Sequence, residues 1–304
     1  MEKAFILHMF TPEKNLSPFD VNMAVDAGWE STPGYTNIEV SEIPALVQDA
    51  IFSRGPVGVK RTGIFIGGRD VKTAIDMLSA TKKSMVPPFE VSAFADPSGA
   101  FTTAAAMVAL VEYELTKYGL SLEGANVLCL GGTGPVGQIA AVLAAQSGAN
   151  VKIIGRQLEK AQAVAAFCNT EYGGGKTKIE GDADANKQDL ILKADVVFAT
   201  AAAGVQVLSS ELVAAAPKLK VAADVNAVPP SGIAGLDPFS KGAVIKGSNS
   251  GAVGLGALAI GNLKYRTQNN LLTVMRYQNR KSDKPIYLHY EHAFEAARSL
   301  IKRS

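Results

Sequence analysis

With 304 residues the chain can bury one large core or two medium ones, and two domains is the natural expectation. Its 47% hydrophobic and 19% charged content is that of a soluble globular protein with apolar parallel strands. A net charge of +2 gives no reason to expect nucleic acid, which usually demands a clustered basic face, and no apolar run reaches membrane-spanning length. Ala199–Val207 and Ala252–Ile260 are small-residue stretches broken by glycine. The opening run Ala4–Phe10 is short, alternates like a strand and lacks a small-residue cleavage site, so it does not read as a signal peptide. Two cysteines, Cys129 and Cys168, give no disulfide framework and favour a reduced, cytoplasmic home.

In chain order, Ala4–Phe10, Gly63–Ile66 and Phe89–Phe94 read as strands, with helical patterns at Phe19–Ala27, Ile43–Ser53 and Val71–Ser84. Pro87-Pro88 stops the last helix, because proline has no N–H to continue the ladder. The run Thr102–Tyr118 predicts a long helix that carries the chain into a second domain. From Ala125 the alternation resumes, with strands at 126–130, 151–155, 195–200 and 221–225 and a helix after each, the rhythm of a doubly wound parallel sheet. Gly247–Gly261 is glycine-rich and uncharged, a loop leading into a helix through Leu263–Tyr277, and Tyr290–Lys302 is a final amphipathic helix. The expected fold is α/β and two-lobed. A Rossmann-type domain with its connecting helix spans 106–264; a smaller α/β substrate domain spans 1–105 and is completed by the C-terminal helices in 265–304, with a cleft between the lobes.

The strongest motif is Gly132-Thr133-Gly134-Pro135-Val136-Gly137, which lies between the apolar run Val127–Leu130 and a small-residue helix at Gln138–Ser147. Its first glycine turns the chain, its second lets a pyrophosphate approach the backbone, and its third lets helix pack on strand. The helix N-terminus then offers free N–H groups to phosphate. The spacing alone also suits an ordinary turn, but the strand before it and the helix and second strand after it are the context a dinucleotide site needs.

Cofactor choice rests on the end of the next strand. A carboxylate about 20 residues past the glycines would bind the ribose 2′-hydroxyl of NAD. Here the strand ends Ile153-Ile154-Gly155-Arg156, so the acid is absent and a guanidinium stands in its place. Arg156 can pair with the 2′-phosphate of NADP, and Lys160, a turn further, can add charge; the plain alternative is a solvated helix start.

Several blocks together resemble one family. They are Phe19-Asp20-Val21-Asn22, Ile64–Gly68, Asp96-Pro97-Ser98-Gly99 with Thr102–Ala106, Gly131–Gly137, Ala223–Pro230 and Gly256–Lys264, in that order. With them the chain resembles, over nearly its whole length, the bacterial NAD(P)-dependent methylene-tetrahydromethanopterin dehydrogenases of one-carbon metabolism. The resemblance implies hydride transfer from methylene-tetrahydromethanopterin to NADP or NAD in formaldehyde oxidation and methylotrophy, a pterin held between the lobes, and a homo-oligomer. Gly155–Lys160 is similar to the NADP-only branch, whereas Asp96–Ala106 and Asp224–Pro230 are similar to the branch that also accepts NAD.

Individual residues carry a plain reading beside the functional one. Asp20 reads as a helix cap or, by the resemblance, as a carboxylate facing the pterin. Asp96 reads as a turn residue or a ligand contact at a strand end, and Thr102 and Thr103 as helix caps or substrate contacts. Thr200 and Ala201 end the strand at 195–200 of the second domain, where small side chains leave room for ribose and pyrophosphate. Asp224 and Asn226 end the strand at 221–225, as buried turn residues or as contacts to the nicotinamide ribose or amide. Lys264 is a snorkelling lysine or, by the resemblance, lies near the reacting centre.

His289 and His292 share a helical face, but no third ligand joins them, so no metal is expected, and His8 reads as a packing residue. Direct hydride transfer releases no proton, so Asp20 and Lys264 are expected to position and to act electrostatically. Three rivals remain at this stage: a methylene-tetrahydrofolate dehydrogenase, a non-catalytic NADP-binding regulator and, more weakly, a shikimate-type or amino-acid dehydrogenase, which would need an acid–base motif the sequence does not show.

Overall fold

The apolar runs form the strands of two parallel sheets in a computed structural model that describes residues 3–173, 177–276 and 284–302. The chain divides into two compact units, Met1–Thr102 with Tyr265–Ala296, and Thr103–Lys264 with Ala297–Ser304.

The first unit contains β1 (Ile6–Phe10), α1 (Pro18–Asp26), β2 (Gly34–Tyr35), α2 (Ile43–Phe52), α3 (Gly55–Gly58), β3 (Thr62–Ile66), α4 (Val71–Lys83) and β4 (Ser92–Ala95). Its sheet runs β2-β1-β3-β4 with β12 (Tyr287–Leu288) on the far edge, every pair parallel. That order is itself doubly wound, and such sheets take ligands where the order reverses, here between β1 and β3. β3 and β4 are buried along their whole length, which is why they read as continuous apolar runs.

α5 (Ala100–Thr116) leads into the second unit. There follow β5 (Asn126–Leu130), α6 (Pro135–Gln146), β6 (Asn150–Gly155), α7 (Leu158–Glu171), β7 (Glu180–Ala183), α8 (Lys187–Ile191), β8 (Val196–Ala199), α9 (Ser210–Ala214), β9 (Val221–Asp224), β10 (Lys241–Val244), β11 (Val253–Leu255) and α10 (Ala257–Met275); α11 (Tyr290–Ile301) closes the chain. The sheet runs β7-β6-β5-β8-β9-β11-β10, the Rossmann order with one added edge strand.

The structure departs from the sequence reading at the edges. No helix follows β9: the chain instead forms β10, antiparallel to β11, so the sheet is parallel except at that edge. Gly247–Gly261 is not all loop, because Val253–Leu255 pairs with β9 and is buried. The strand expected at Phe89–Phe94 is shifted, since Phe89 closes a turn on Val86 and pairing begins at Ser92. Tyr277, where the penultimate helix was expected to end, lies outside the described residues; α10 ends at Met275. Arg298 of α11 makes a bidentate pair with Glu112 of α5, at 2.7 and 2.6 Å, and both belong to the second unit.

Trp29, the single tryptophan, anchors the first unit. It is 2% exposed, meets Phe5 edge-on at 6.2 Å, and donates from Nε1 to the Leu272 carbonyl at 3.1 Å. Gly63 stays bare because a Cβ there would lie 2.7 Å from the indole. Replacing Trp29 with Phe strands the buried Leu272 carbonyl, at a cost of about 1–3 kcal/mol. Urea denaturation followed by circular dichroism should therefore show an earlier midpoint for Trp29→Phe; an unchanged midpoint would mean this bond contributes nothing.

Candidate functional site

The glycine turn after β5 has the geometry of a phosphate cradle. Gly131 holds φ +70°, and a Cβ there would meet Ala201 Cα at 2.6 Å. Gly132 donates to the Cys129 and Ile154 carbonyls, and Gly137 packs so closely that a Cβ would lie 2.5 Å from Gly132 Cα and 2.7 Å from Thr200 Oγ1. Gly134 caps α6 with no side chain on the helix end, and a Cβ there would meet a single neighbour, at 3.9 Å. The first-turn N–H groups that follow Pro135, from Val136 on, are thus presented in the manner that binds anions. Thr133 is fixed by the Gln138 side chain, which donates to its carbonyl at 3.0 Å, and its methyl sits where a Gly155 side chain would clash, at 2.9 Å. Past Gly155, Arg156 and Lys160 are exposed beyond the carboxyl end of β6; no acid stands at the strand end itself, although Glu159 follows in the first turn of α7. These residues fit a dinucleotide with a 2′-phosphate.

The loops after β8 and β9 are locked to one another. Thr200 is buried, with its N–H and hydroxyl donating to the Leu130 carbonyl, and Ala201 lies over Gly131. Asp224 is buried and accepts from the N–H of Asn226 at 2.9 Å and of Ile233 at 3.1 Å. Burial raises its carboxyl above the usual range, opposed by the N–H groups of Asn226, Ile233 and Gly232. Asn226 accepts from the N–H of Gly204 and Val228 and donates to the Pro230 carbonyl at 2.9 Å. Both side chains therefore hold the shape of the loops at the carboxyl end of the sheet.

In the first unit, Ser17, and not Asp20, caps α1. Asp20 is buried in the third helical position and accepts from the Gln268 side chain at 2.9 Å. Gln268 is a partner of Asp20 that the sequence reading missed; its one signal is its place a turn after Lys264 on α10, where residues four apart share a face. Lys264 is half-buried. Asp96, at the end of β4, is fully buried and caps α5, accepting from the N–H of Phe101 and Thr102 and from the Thr102 hydroxyl at 2.7 Å. Thr103 is half-buried one residue on. Ser98, at φ +51°, donates to the Gly68 carbonyl and ties this turn to the loop after β3.

The remaining titratable groups suit packing. His289 donates its N–H to His292 Nδ1, the rings stand 4.5 Å apart, and burial followed by the charge of His292 pushes the His289 pKa down to about 4. His8 Nδ1 lies 3.0 Å from the Tyr35 hydroxyl. Burial raises both thiols, that of Cys168 to about 12, so neither is a nucleophile at neutral pH. Among the described residues no three His, Cys, Asp or Glu side chains gather as a metal site, and no helix is long and apolar enough to cross a membrane.

Residues 18–98 match the N-terminal family model of methylene-tetrahydromethanopterin dehydrogenase. An NAD(P)-dependent methylenetetrahydromethanopterin dehydrogenase of Methylorubrum extorquens is 42% identical over 302 residues, covering 96% of this chain and 97% of that protein. The bifunctional protein MdtA of the same organism is 36% identical over 261 residues, 86% of this chain and 88% of that protein. Among solved structures, the shikimate 5-dehydrogenase of Listeria monocytogenes in complex with shikimate and NAD aligns with a TM-score of 0.50 at 14% identity, over 96% of each chain. The ornithine carbamoyltransferase of Pyrococcus furiosus aligns at 0.52 and 16% identity, over 92% of this chain and 87% of that one. At such identities these structures share the fold alone. Similarity of this extent to the first relative, across both units, places the chain in the family of NAD(P)-dependent methylenetetrahydromethanopterin dehydrogenases.

Proposed function

We propose that this protein oxidises methylene-tetrahydromethanopterin to the methenyl cation and passes the hydride to NADP, with NAD as the weaker acceptor. The observation that carries this reading is the full-length similarity to an NAD(P)-dependent dehydrogenase of that pterin, joined to an intact glycine turn. It favours that substrate over the folate analogue, and catalysis over a purely regulatory NADP-binding role. The bound nicotinamide supplies the hydride acceptor. The methylene carbon loses a hydride and no proton, and its two flanking nitrogens share the resulting positive charge, so the site requires no general base.

The chain's own work is to bind, align and keep water out. Gly132, Thr133, Gly134, Pro135, Val136 and Gly137 hold the pyrophosphate, and Arg156 and Lys160 read the 2′-phosphate. Thr200, Ala201, Asp224 and Asn226 form the floor beneath the ribose and nicotinamide, the last two by shaping their loops. Asp20, Asp96, Thr102, Thr103 and Lys264 serve the pterin, with Asp20 held in its rotamer by Gln268. We also infer a cytoplasmic homo-oligomer, supported by two buried free cysteines and by the exposed Phe239 and Val244 beside the β10 edge.

A spectrophotometric assay of both nicotinamides with both methylene pterins tests the assignment, and a preference for the folate would overturn it. Arg156→Ala should erode the NADP preference about ten- to a hundredfold, the value of a charge-assisted contact. An equal loss with NAD and NADP would remove Arg156 from the 2′-phosphate. Deuterium on the methylene carbon should be recovered on the reduced nicotinamide, whereas its appearance in water would sink direct transfer.

A further inference from the structure

Nearly every glycine in the described residues has a reason in the fold. Either it holds a positive φ, or a Cβ built on it would come within 2.9 Å of another atom. Three escape both reasons: Gly67, Gly134 and Gly261. Gly67 is buried, and its Cβ would make ordinary contacts from 3.7 Å. Gly134 is the glycine of the dinucleotide turn whose bareness admits a pyrophosphate, so it shows what ligand approach looks like by this measure.

Gly261 is the more demanding case. It lies inside α10, where glycine costs about 0.5–1 kcal/mol relative to alanine. It is exposed, and among the described residues no atom beyond its chain neighbours and the adjoining backbone of its own helix lies within 4 Å of the Cβ position. Gly256, just before the helix, differs sharply: a side chain there would strike the Pro238 carbonyl at 2.3 Å. Packing thus explains Gly256 and leaves Gly261 unexplained. Helical spacing puts Gly261 on the face that carries Lys264, with Leu258, 44% exposed, one turn before it.

We propose that Gly261 is kept bare so that the flat ring of the methylene pterin can lie against the backbone of α10, a proposal that rests on the functional reading above. The first turn of α10 follows directly from β11, at the strand ends that serve the cofactor; Gly261 is a turn further on, beside the lysine assigned to the substrate. A bare helix turn next to an apolar side chain gives a flat ring a contact surface that a methyl group would lift it from.

The test uses Gly261→Ala and Gly261→Leu, both good helix formers, with Gly134→Ala as comparison. The Gly261 variants should melt at the parental temperature or up to about 3 °C above it, because the helix loses a glycine. Their KM for methylene-tetrahydromethanopterin should rise about fivefold for alanine and about fiftyfold for leucine, with the NADP KM within about twofold of the parent. Gly134→Ala should show the reverse pattern. Parental pterin kinetics in both Gly261 variants would overturn the proposal while the parent's turnover kept the family activity intact. A rise confined to the NADP KM would overturn it by moving the glycine to the cofactor. A fall in molar mass by light scattering would do so by assigning this helix face to a contact between copies. No turnover of the pterin by the parent would instead remove the functional reading, and this proposal with it.

Discussion

A single methyl group on Gly137 would lie 2.5 Å from Gly132 Cα, and the nucleotide chemistry of the second unit depends on that close approach. Because neither residue carries a side chain, α6 begins at the carboxyl end of β5, and its first N–H groups point out of the sheet. The same closeness brings Thr200 from β8 against the helix and lets Ala201 cover Gly131. Three successive pieces of chain are therefore fixed by missing atoms. A positive dipole end held this rigidly binds phosphate without reorganising first, which matters for a reaction whose rate depends on alignment.

Around that turn, buried polar groups follow one rule. Asp96, Asp224 and Asn226 are all buried, and each spends its side chain chiefly on backbone groups, Asp96 at its helix end, Asp224 in its own loop and Asn226 across the loops after β8 and β9. An unpartnered carboxylate in such places would be prohibitively costly, so the loops are held in the one shape that satisfies it. The carboxyl ends of both sheets consequently present walls set by interior hydrogen bonds. Hydride transfer benefits from such walls, because it moves charge between two rings and calls on no proton carrier.

The parts of this design that were legible in sequence are those written in local spacing. The glycine turn, the Arg156 that follows Gly155, and the long apolar strands β3, β5, β6 and β8 each announce themselves within a few residues. The edges did not: β2 and β12 are two residues long, β7 reads Glu-Gly-Asp-Ala, and β10 reads Lys-Gly-Ala-Val. Such strands exist because a neighbour offers unpaired hydrogen bonds, which no local propensity reports. Gln268 escaped for the same reason, since its partner Asp20 lies 248 positions away. Asp20 itself shows the converse: its place near a helix start suggested a cap, but Ser17 had already taken that task.

The route of the chain has a consequence for the order in which the protein comes into being. The second unit is assembled mostly from one continuous stretch, Thr103–Lys264, set into the middle of the first. The first unit needs residues from both sides of that stretch: Trp29 waits for the carbonyl of Leu272, and β4 waits for β12 at its open edge. On the ribosome, the amino-terminal hundred residues must therefore remain unfinished while the insertion is made, for roughly ten to thirty seconds at ordinary synthesis rates. During that interval an apolar strand edge and an unburied indole face the solvent, an invitation to chaperones. The unit whose synthesis begins first is thus one that cannot be completed until Tyr265–Ala296 has emerged.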